Sequence, residues 1–200
     1  MSLNWKTLLF VAVIGYGAWH HWQTRPVAVP HGAGELAPAD PVQADMAGNP
    51  ALQWPGYRLT PLASYDVTAR VLSVETYHAG READLSPVDL ALGWGPMSDD
   101  AVLKDIRISQ GGRFYHWSVE QFPIPRVQIE THSANTHLIP ANEDVKDRIG
   151  SIRPGEVVRL RGYLVAVEAD DGWHWKSSLS RNDTGGGACE LMWVEQVESL

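Results

Sequence analysis

The fold is decided by the stretch YDVTARVLSVETY at residues 65–77. It is rich in β-branched and aromatic side chains, and its apolar residues alternate with polar ones, which is typical of a strand with one buried face. The alternation changes phase at Val71 and Leu72, which indicates a β-bulge. The stretch therefore predicts a long strand in a mainly β domain.

Two hairpins are predicted downstream of that strand. In the first, residues 106–109 and 113–119 flank a turn at Gln110-Gly111-Gly112. In the second, residues 156–168 pair with residues 173–179, and a two-residue turn at Asp171-Gly172 would place Leu164 opposite Leu179. A last strand is predicted over residues 188–197.

Helix signals are short. Ser98-Asp99-Asp100 is a capping sequence for a helix over residues 101–105, and Asn142 can cap a helix over residues 143–149, in which Val145 and Ile149 share one face. Several strands with mostly hairpin connections and one or two short helices predict an antiparallel β or α+β domain, a small barrel or a sandwich.

The stretch RPGEVVRLRGYLV at residues 153–165 resembles a strand that is common in OB-like and other small barrels. The chain as a whole looks like a type of uncharacterised, membrane-anchored bacterial protein. That resemblance is carried by GWGPMSD at 93–99, NTHLIP at 135–140, RNDTG at 181–185 and GACE at 187–190. It implies a membrane-held β domain and no known activity.

The N-terminus contains the longest apolar run. Residues 5–22 would span about 27 Å as a helix, close to the hydrocarbon thickness of a bilayer. Trp5, Trp19 and Trp22 lie at its ends, where aromatic rings favour the membrane interface. We therefore predict a single-pass anchor in the inner (cytoplasmic) membrane, with the C-terminal domain outside the cytoplasm in the bacterial envelope.

Two alternatives to the anchor are open. A cleaved signal peptide also has a basic start and an apolar core, but the best small-residue pattern, Gly15-Tyr16-Gly17, falls inside the apolar run. A buried soluble helix would need a core to pack against, and the next segment offers little. Lys6 before the run and Arg25 after it favour a cytoplasmic N-terminus only mildly.

Residues 23–53 contain five prolines and little apolar bulk, so we expect a flexible linker. A chain of that length has a root-mean-square reach on the order of 30 Å. The remaining residues, 54–200, are enough for one domain. The predicted organisation is an anchor at 1–22, a linker at 23–53 and a periplasmic β domain at 54–200.

Charge and cysteine content limit the function classes. The domain has 14 Lys and Arg residues against 21 Asp and Glu residues, a balance of −7. Such acidity disfavours nonspecific nucleic-acid binding. Cys189 is the single cysteine, which excludes an internal disulfide and a cysteine-rich metal site. We expect no cofactor and no bound metal.

Cys189 is nevertheless the first candidate for chemistry. With His132 or His137 as base and Asn135 as orienting group, it would complete a papain-like set of residue types. The alternative is a small buried core residue, since Glu190 is adjacent and a strand is predicted there. The two histidines could also share a metal, or could hydrogen-bond the backbone of an irregular loop.

Two surfaces are candidates for ligand binding. The first is the loop at residues 177–187, in which Arg181, Asp183 and consecutive glycines could bind an anion, or could simply form a long hairpin loop. The second is a basic and aromatic strand face with Arg159, Arg161 and Trp175, which could bind a sugar or a protein strand, or could be an ordinary solvated face.

We therefore expect a membrane-tethered, extracytoplasmic binding or scaffolding module that meets another envelope protein. The competing hypothesis is an envelope hydrolase or transferase that uses Cys189 and His132 or His137.

Overall fold

A computed structural model of the chain describes residues 4–23, 29, 31–46 and 51–200. The strands are β1 (Val42–Asp45), β2 (Leu52–Trp54), β3 (Tyr57–Thr76), β4 (Val88–Gly93), β5 (Ile106–Gly111), β6 (Phe114–Val119), β7 (Ser133–Pro140), β8 (Val157–Ala169), β9 (His174–Lys176) and β10 (Glu190–Ser199). The helices are α1 (Trp5–Gln23), α2 (Arg81–Leu85), α3 (Asp100–Leu103), α4 (Arg126–Thr131) and α5 (Glu143–Ser151), with a 3-10 turn at Gly95–Ser98. The protein is mainly β, as predicted.

Five strands form a closed ring in the order β3, β4, β7, β10, β8 and back to β3. The β7–β10 contact is parallel, whereas the other contacts in this ring are antiparallel. Helix α5 lies in the connection between β7 and β8. These five strands therefore form a small closed barrel.

The long strand β3 determines the barrel. It pairs with β4 on one side and with β8 on the other, and its register with β4 shifts between Val71 and Ser73, where the bulge was predicted. The residues of β3 that alternate inward fill the barrel interior together with Leu90, Leu160 and Met192. This interior is built from apolar side chains and Tyr65.

The barrel closes tightly at Gly162 of β8. A Cβ atom at this position would lie 1.9 Å from the carbonyl oxygen of Trp193 on β10. Only glycine permits this approach of the two backbones.

The first predicted hairpin is confirmed, with a turn one residue later than expected. Gly111 of β5 pairs with Phe114 of β6, so Gly112 and Arg113 form the turn. Both have positive φ angles, 60° and 71°, as a type I′ turn requires. The hairpin packs on Met97 and Ile129, in an apolar cluster separate from the barrel interior.

The helix caps are also close to prediction. The side chain of Asn142 accepts a hydrogen bond from the Val145 backbone N–H at 3.0 Å, and Val145 and Ile149 of α5 are buried. Asp99 caps α3, because its carboxylate accepts from the Ala101 N–H at 2.7 Å.

The predicted register of the second hairpin is wrong by one residue. Val167 lies opposite Trp175, and the Ala169 N–H donates to the Trp173 carbonyl, so the loop is longer than a two-residue turn. β9 ends at Lys176, and Leu179 is in no strand. The side-chain alternation of β8 is satisfied by its partners β3 and β10, so the hairpin turn is not needed to set its register.

Residues 5–22, predicted as the anchor, fall within α1. Among its described side chains, large apolar ones are exposed, including Trp5 at 68%, Phe10 at 66% and Val13 at 63%. In the described part of the chain, no helix has the combination of length and apolar character needed to cross a membrane.

The flexible linker predicted over residues 23–53 differs from what the structure describes. Residues 24–28, 30 and 47–50 lie outside the described residues. Within the remainder, β1 pairs with β3, and β2 also pairs with β3. The Ala37 N–H donates to Ser98 Oγ at 3.1 Å, and the His31 N–H donates to Asp100 at 2.9 Å. Backbone pairing with the barrel orders a segment whose own side chains are too small to do so.

Candidate functional site

A cleft of about 620 Å³ lies at one end of the barrel. One wall is β6, and all six residues of this strand line the cleft. The start of β7 forms the floor with Ser133 and Asn135, and the loop between β9 and β10 forms the opposite wall from Ser180 to Glu190. We call this the rim cleft.

Glu190 is the buried charged group of the rim cleft. It is the first residue of β10 and is 1% exposed. Its side chain forms an ion pair with Arg181 across the loop. Burial raises the Glu190 pKa to about 7, although the Arg181 charge acts in the opposite direction. Desolvation is therefore the larger of the two effects.

The pair is not fully satisfied. Glu190 Oε2 and Arg181 Nε are both buried and have no hydrogen-bond partner among the described residues. An unpartnered buried polar atom costs about 1–3 kcal/mol. A ligand that donates to the carboxylate oxygen and accepts from Nε would recover that free energy.

Arg181 is fixed from several sides. Its guanidinium donates to the Tyr65 hydroxyl at 3.0 Å and to Gln43 Oε1 at 3.1 Å. Burial, followed by the nearby Glu190 charge, raises the Tyr65 pKa. Asp183 accepts from Ser178 Oγ at 2.6 Å, which holds the loop near its start. The predicted ligand residues Arg181 and Asp183 thus both line the cleft.

Aromatic side chains cover the outer wall. Trp117 of β6 makes an edge contact with Phe122, with ring centroids 6.2 Å apart, and Phe122 is 53% exposed. The Arg126 guanidinium lies 5.9 Å from the Trp117 ring and pairs with Glu130 at 2.8 Å. Phe114 and Trp94 complete this apolar lining. The rim cleft therefore combines an apolar wall on one side with the charged loop wall on the other.

Cys189 and Asn135 meet in this cleft, without the His132 or His137 base that the cysteine hypothesis requires. Asn135 Nδ2 lies 3.8 Å from Cys189 Sγ and donates to the Arg113 carbonyl at 3.1 Å. Burial raises the Cys189 pKa to about 11. The thiol is thus held in its protonated form at neutral pH, which is unfavourable for a nucleophile.

His137 is placed elsewhere. Its ring is 3% exposed, lies 4.7 Å from the Trp175 ring, and approaches Asp89 with Nδ1 2.9 Å from Oδ2. This contact has ion-pair distance without the alignment of a hydrogen bond, since neither atom has a hydrogen-bond partner within the described residues. Asp89 is fully buried and pairs with Arg113 at 2.7 Å. We call Asp89, Arg113 and His137 the hairpin clamp.

The clamp fixes the hairpin onto the barrel. Arg113 lies in the turn between β5 and β6, and it donates to the Ser86 carbonyl at 2.9 Å as well as to Asp89. The Arg113 guanidinium stacks 3.7 Å from the Tyr77 ring, and the Arg113 backbone N–H donates to the Tyr77 hydroxyl. These contacts set the position of β6, and hence the width of the rim cleft.

His132 ends α4, where its ring Nδ1 lies 3.0 Å from the Gln128 carbonyl oxygen. Neither histidine is among the described residues that line the rim cleft. Within the described ranges, no group of three or more His, Cys, Asp or Glu side chains could hold a metal ion. His132 thus makes a backbone contact, whereas His137 lies in strand β7 rather than in the expected irregular loop and contacts the side chains of Asp89 and Trp175.

The basic strand face is separate from the cleft. Arg159 makes a bidentate pair with Asp66 at 2.9 and 2.6 Å, and Arg161 pairs with Glu198. Trp175 packs on His137 and on Trp173. The structure therefore brings together Cys189, Asn135, Arg181 and Asp183, and leaves these three residues and both histidines outside.

Sequence reasoning missed Glu190, Tyr65 and Gln43 as members of the site. One signal was available for Glu190, since it shares the alternation of Met192 and Val194, which point into the barrel. A glutamate at an inward position needs a partner, and that requirement could have drawn attention to it. Gln43 carried no signal, because its segment reads as a linker.

Comparison with known proteins gives one partial similarity. The chain is 27% identical over 127 residues, 59% of its length, to human neutral alpha-glucosidase AB. It spans 14% of the length of that protein. No family model matches the chain, and no solved structure matches it.

Proposed function

We propose that this protein is a non-enzymatic binding module whose partner occupies the rim cleft. The observation that carries the proposal is the Arg181–Glu190 pair in the loop wall of the cleft, where each side chain keeps one buried atom without a hydrogen-bond partner among the described residues. Buried polar groups in folded proteins are normally satisfied, so exceptions that line a cavity favour a ligand.

The competing thiol-dependent enzyme needs Cys189 beside a base. The described contacts of Cys189 Sγ are with Asn135 and the Arg113 carbonyl, neither of which can remove its proton. The raised Cys189 pKa also opposes catalysis. These observations favour the binding module.

We also infer that α1 holds the module at a bacterial envelope membrane, with the barrel on the extracytoplasmic side and another envelope protein as its partner. The aromatic residues at the ends of α1 and the exposure of its apolar side chains support this. Seven residues, 24–30, separate α1 from His31, which contacts the barrel. Such a connection spans at most about 25–30 Å when extended, so the barrel would stay near the membrane.

A saccharide is the second candidate ligand. Aromatic residues with a free carboxylate oxygen suit sugar rings and their hydroxyl groups, and the partial similarity to a glucosidase points to the same chemistry.

The proposal is tested by photo-crosslinking in cells. A benzoyl-phenylalanine placed at Phe122, which is 53% exposed in the cleft, is expected to give a discrete adduct. The matched control carries the same group at Asp147 on the exposed face of α5. The adduct should weaken at least fivefold when Glu190→Gln is added. Equal adducts at the two positions, or indifference to Glu190→Gln, would contradict the proposal.

Membrane attachment is tested separately. The full chain is expected in the carbonate-resistant membrane fraction, and deletion of residues 1–23 should release the barrel. A reporter fused after Leu200 should be active only outside the cytoplasm, and activity in the cytoplasm would reverse the inferred orientation.

A further inference from the structure

Strand β6 has a free edge that borders the rim cleft. β5 and β6 form a two-stranded sheet of their own, and within the described residues β6 has no other strand partner. Apart from the pairing with β5, no described backbone hydrogen bond joins residues 114–119 to another part of the chain. Residues of both alternating faces of β6 line the cleft, so the backbone edge between them is open to it.

The register shows which backbone groups are free. Gly111 and Phe114 flank a two-residue turn and are therefore a hydrogen-bonded pair, as are the alternate pairs that follow. Phe114, His116 and Ser118 thus use their backbone groups toward β5. The N–H and C=O groups of Tyr115, Trp117 and Val119 point away from β5, along the unpaired edge of β6.

The sequence of β6 is unprotected as an edge. FYHWSV has no proline, lysine or acidic residue, and its pairing with β5 is continuous without a bulge. Proteins normally protect an exposed edge with such features, because a free edge pairs with other chains. The ring strands of the barrel solve the problem by closure, whereas β6 does not.

We propose that the rim cleft receives an extended polypeptide segment that adds to β6 as a new strand. This inference rests on the proposed function and names the occupant of its site. The free edge gives the ladder hydrogen bonds, and alternate side chains of the segment pack on Trp117 and Phe122. Because the domain has a balance of −7, the segment is neutral or basic.

The test uses the full chain in detergent micelles and a display library of random nonapeptides. Enriched peptides should show apolar residues at alternate positions. N-methylation of the alternate peptide amides that face β6 should weaken binding at least tenfold, whereas methylation of the other set should change it less than twofold. In hydrogen exchange, the Tyr115, Trp117 and Val119 amides should become at least tenfold more protected on binding.

A variant pair checks the edge directly. Val119→Pro removes an outward N–H and should weaken peptide binding at least fivefold, whereas Val119→Ala keeps that N–H and should bind within twofold of the wild type. Circular dichroism checks that both variants fold. If Val119→Pro does not fold, the comparison of the two sets of methylated peptides tests strand addition instead.

The outcomes separate the two proposals. Binding that ignores backbone methylation, or enriched peptides without alternation, would overturn strand addition. Binding of a neutral oligosaccharide array with no peptide enriched would also overturn it, but would support the rim cleft as a ligand site. Loss of the Phe122 adduct specificity would overturn both.

Discussion

The hairpin clamp and the rim cleft each contain a buried carboxylate paired with an arginine, but the surroundings of the two pairs differ. Asp89 is surrounded by Arg113, His137 and Ser86 and lies under the hairpin. Glu190 pairs with Arg181 and lines the rim cleft. Among the described residues, each carboxylate keeps one oxygen without a hydrogen-bond partner, but Asp89 Oδ2 lies 2.9 Å from the His137 ring whereas Glu190 borders a cavity. A buried ion pair therefore becomes a candidate site where it borders a cavity.

The largest expected effect comes from breaking the clamp. Asp89→Asn should destabilise the fold by about 3 kcal/mol, because it leaves the Arg113 charge partly buried without its counter-ion. Urea unfolding measures this. Glu120→Gln is the control, since its pair with Arg107 is largely exposed and should contribute little. An equal free energy of unfolding for the two variants would mean that the hairpin clamp does not stabilise the fold.

The Arg181–Glu190 pair is expected to make the free energy of unfolding depend on pH. Because the folded pKa of Glu190 is about 7 and its ordinary value is 4.5, the folded state binds more protons between these values. The stabilisation is therefore present below about pH 4.5 and is lost as pH rises through 7, by roughly 3 kcal/mol.

Unfolding curves between pH 4.5 and 8 measure this loss, and Glu190→Gln should flatten it. A slope that is the same in wild type and Glu190→Gln would show that another group causes it. Asp89→Asn is the informative comparison, because it should lower stability while keeping the slope.

The smallest effect on the fold is expected at Cys189, which lies between the two pairs. Cys189→Ser should leave the unfolding midpoint nearly unchanged. Iodoacetamide should modify the folded protein about 100-fold more slowly at neutral pH than a thiol of ordinary pKa, because the thiolate fraction falls with a pKa raised from 9.0 to about 11.

Urea-unfolded protein is the control and should react at the ordinary rate. Rapid alkylation of the folded protein would support the enzyme hypothesis. Cys189 would then be, like Glu190, a group of the rim cleft that is available to a ligand.

Much of the local structure could be predicted from sequence because its causes are local. The alternation in residues 65–77 fixes which side of β3 is buried and where the bulge lies. The turn at Gly112 and the cap at Asn142 depend on backbone geometry within a few residues. The one-residue error in the second hairpin arose where distant strands, rather than the turn, set the register.

Only part of the candidate site could be predicted from the sequence. Arg181 and Asp183 could be chosen because they belong to one polar, glycine-rich loop, and Cys189 and Asn135 because of their residue types. Their meeting with Gln43 and Tyr65 joins residues more than 100 positions apart in the chain. No periodicity or composition encodes such a contact.

The sequence by itself determined the mainly β character, the hairpin that contains β6, the helix caps and the apolar α1 segment, because propensity, alternation and turn chemistry act over short distances. The tertiary structure alone decided the closure of the barrel, the docking of residues 31–46, the separation of His132 and His137 from Cys189, and the burial of Glu190 with one oxygen left unpartnered among the described residues. Those features depend on which strands meet and on which groups lose their contact with water.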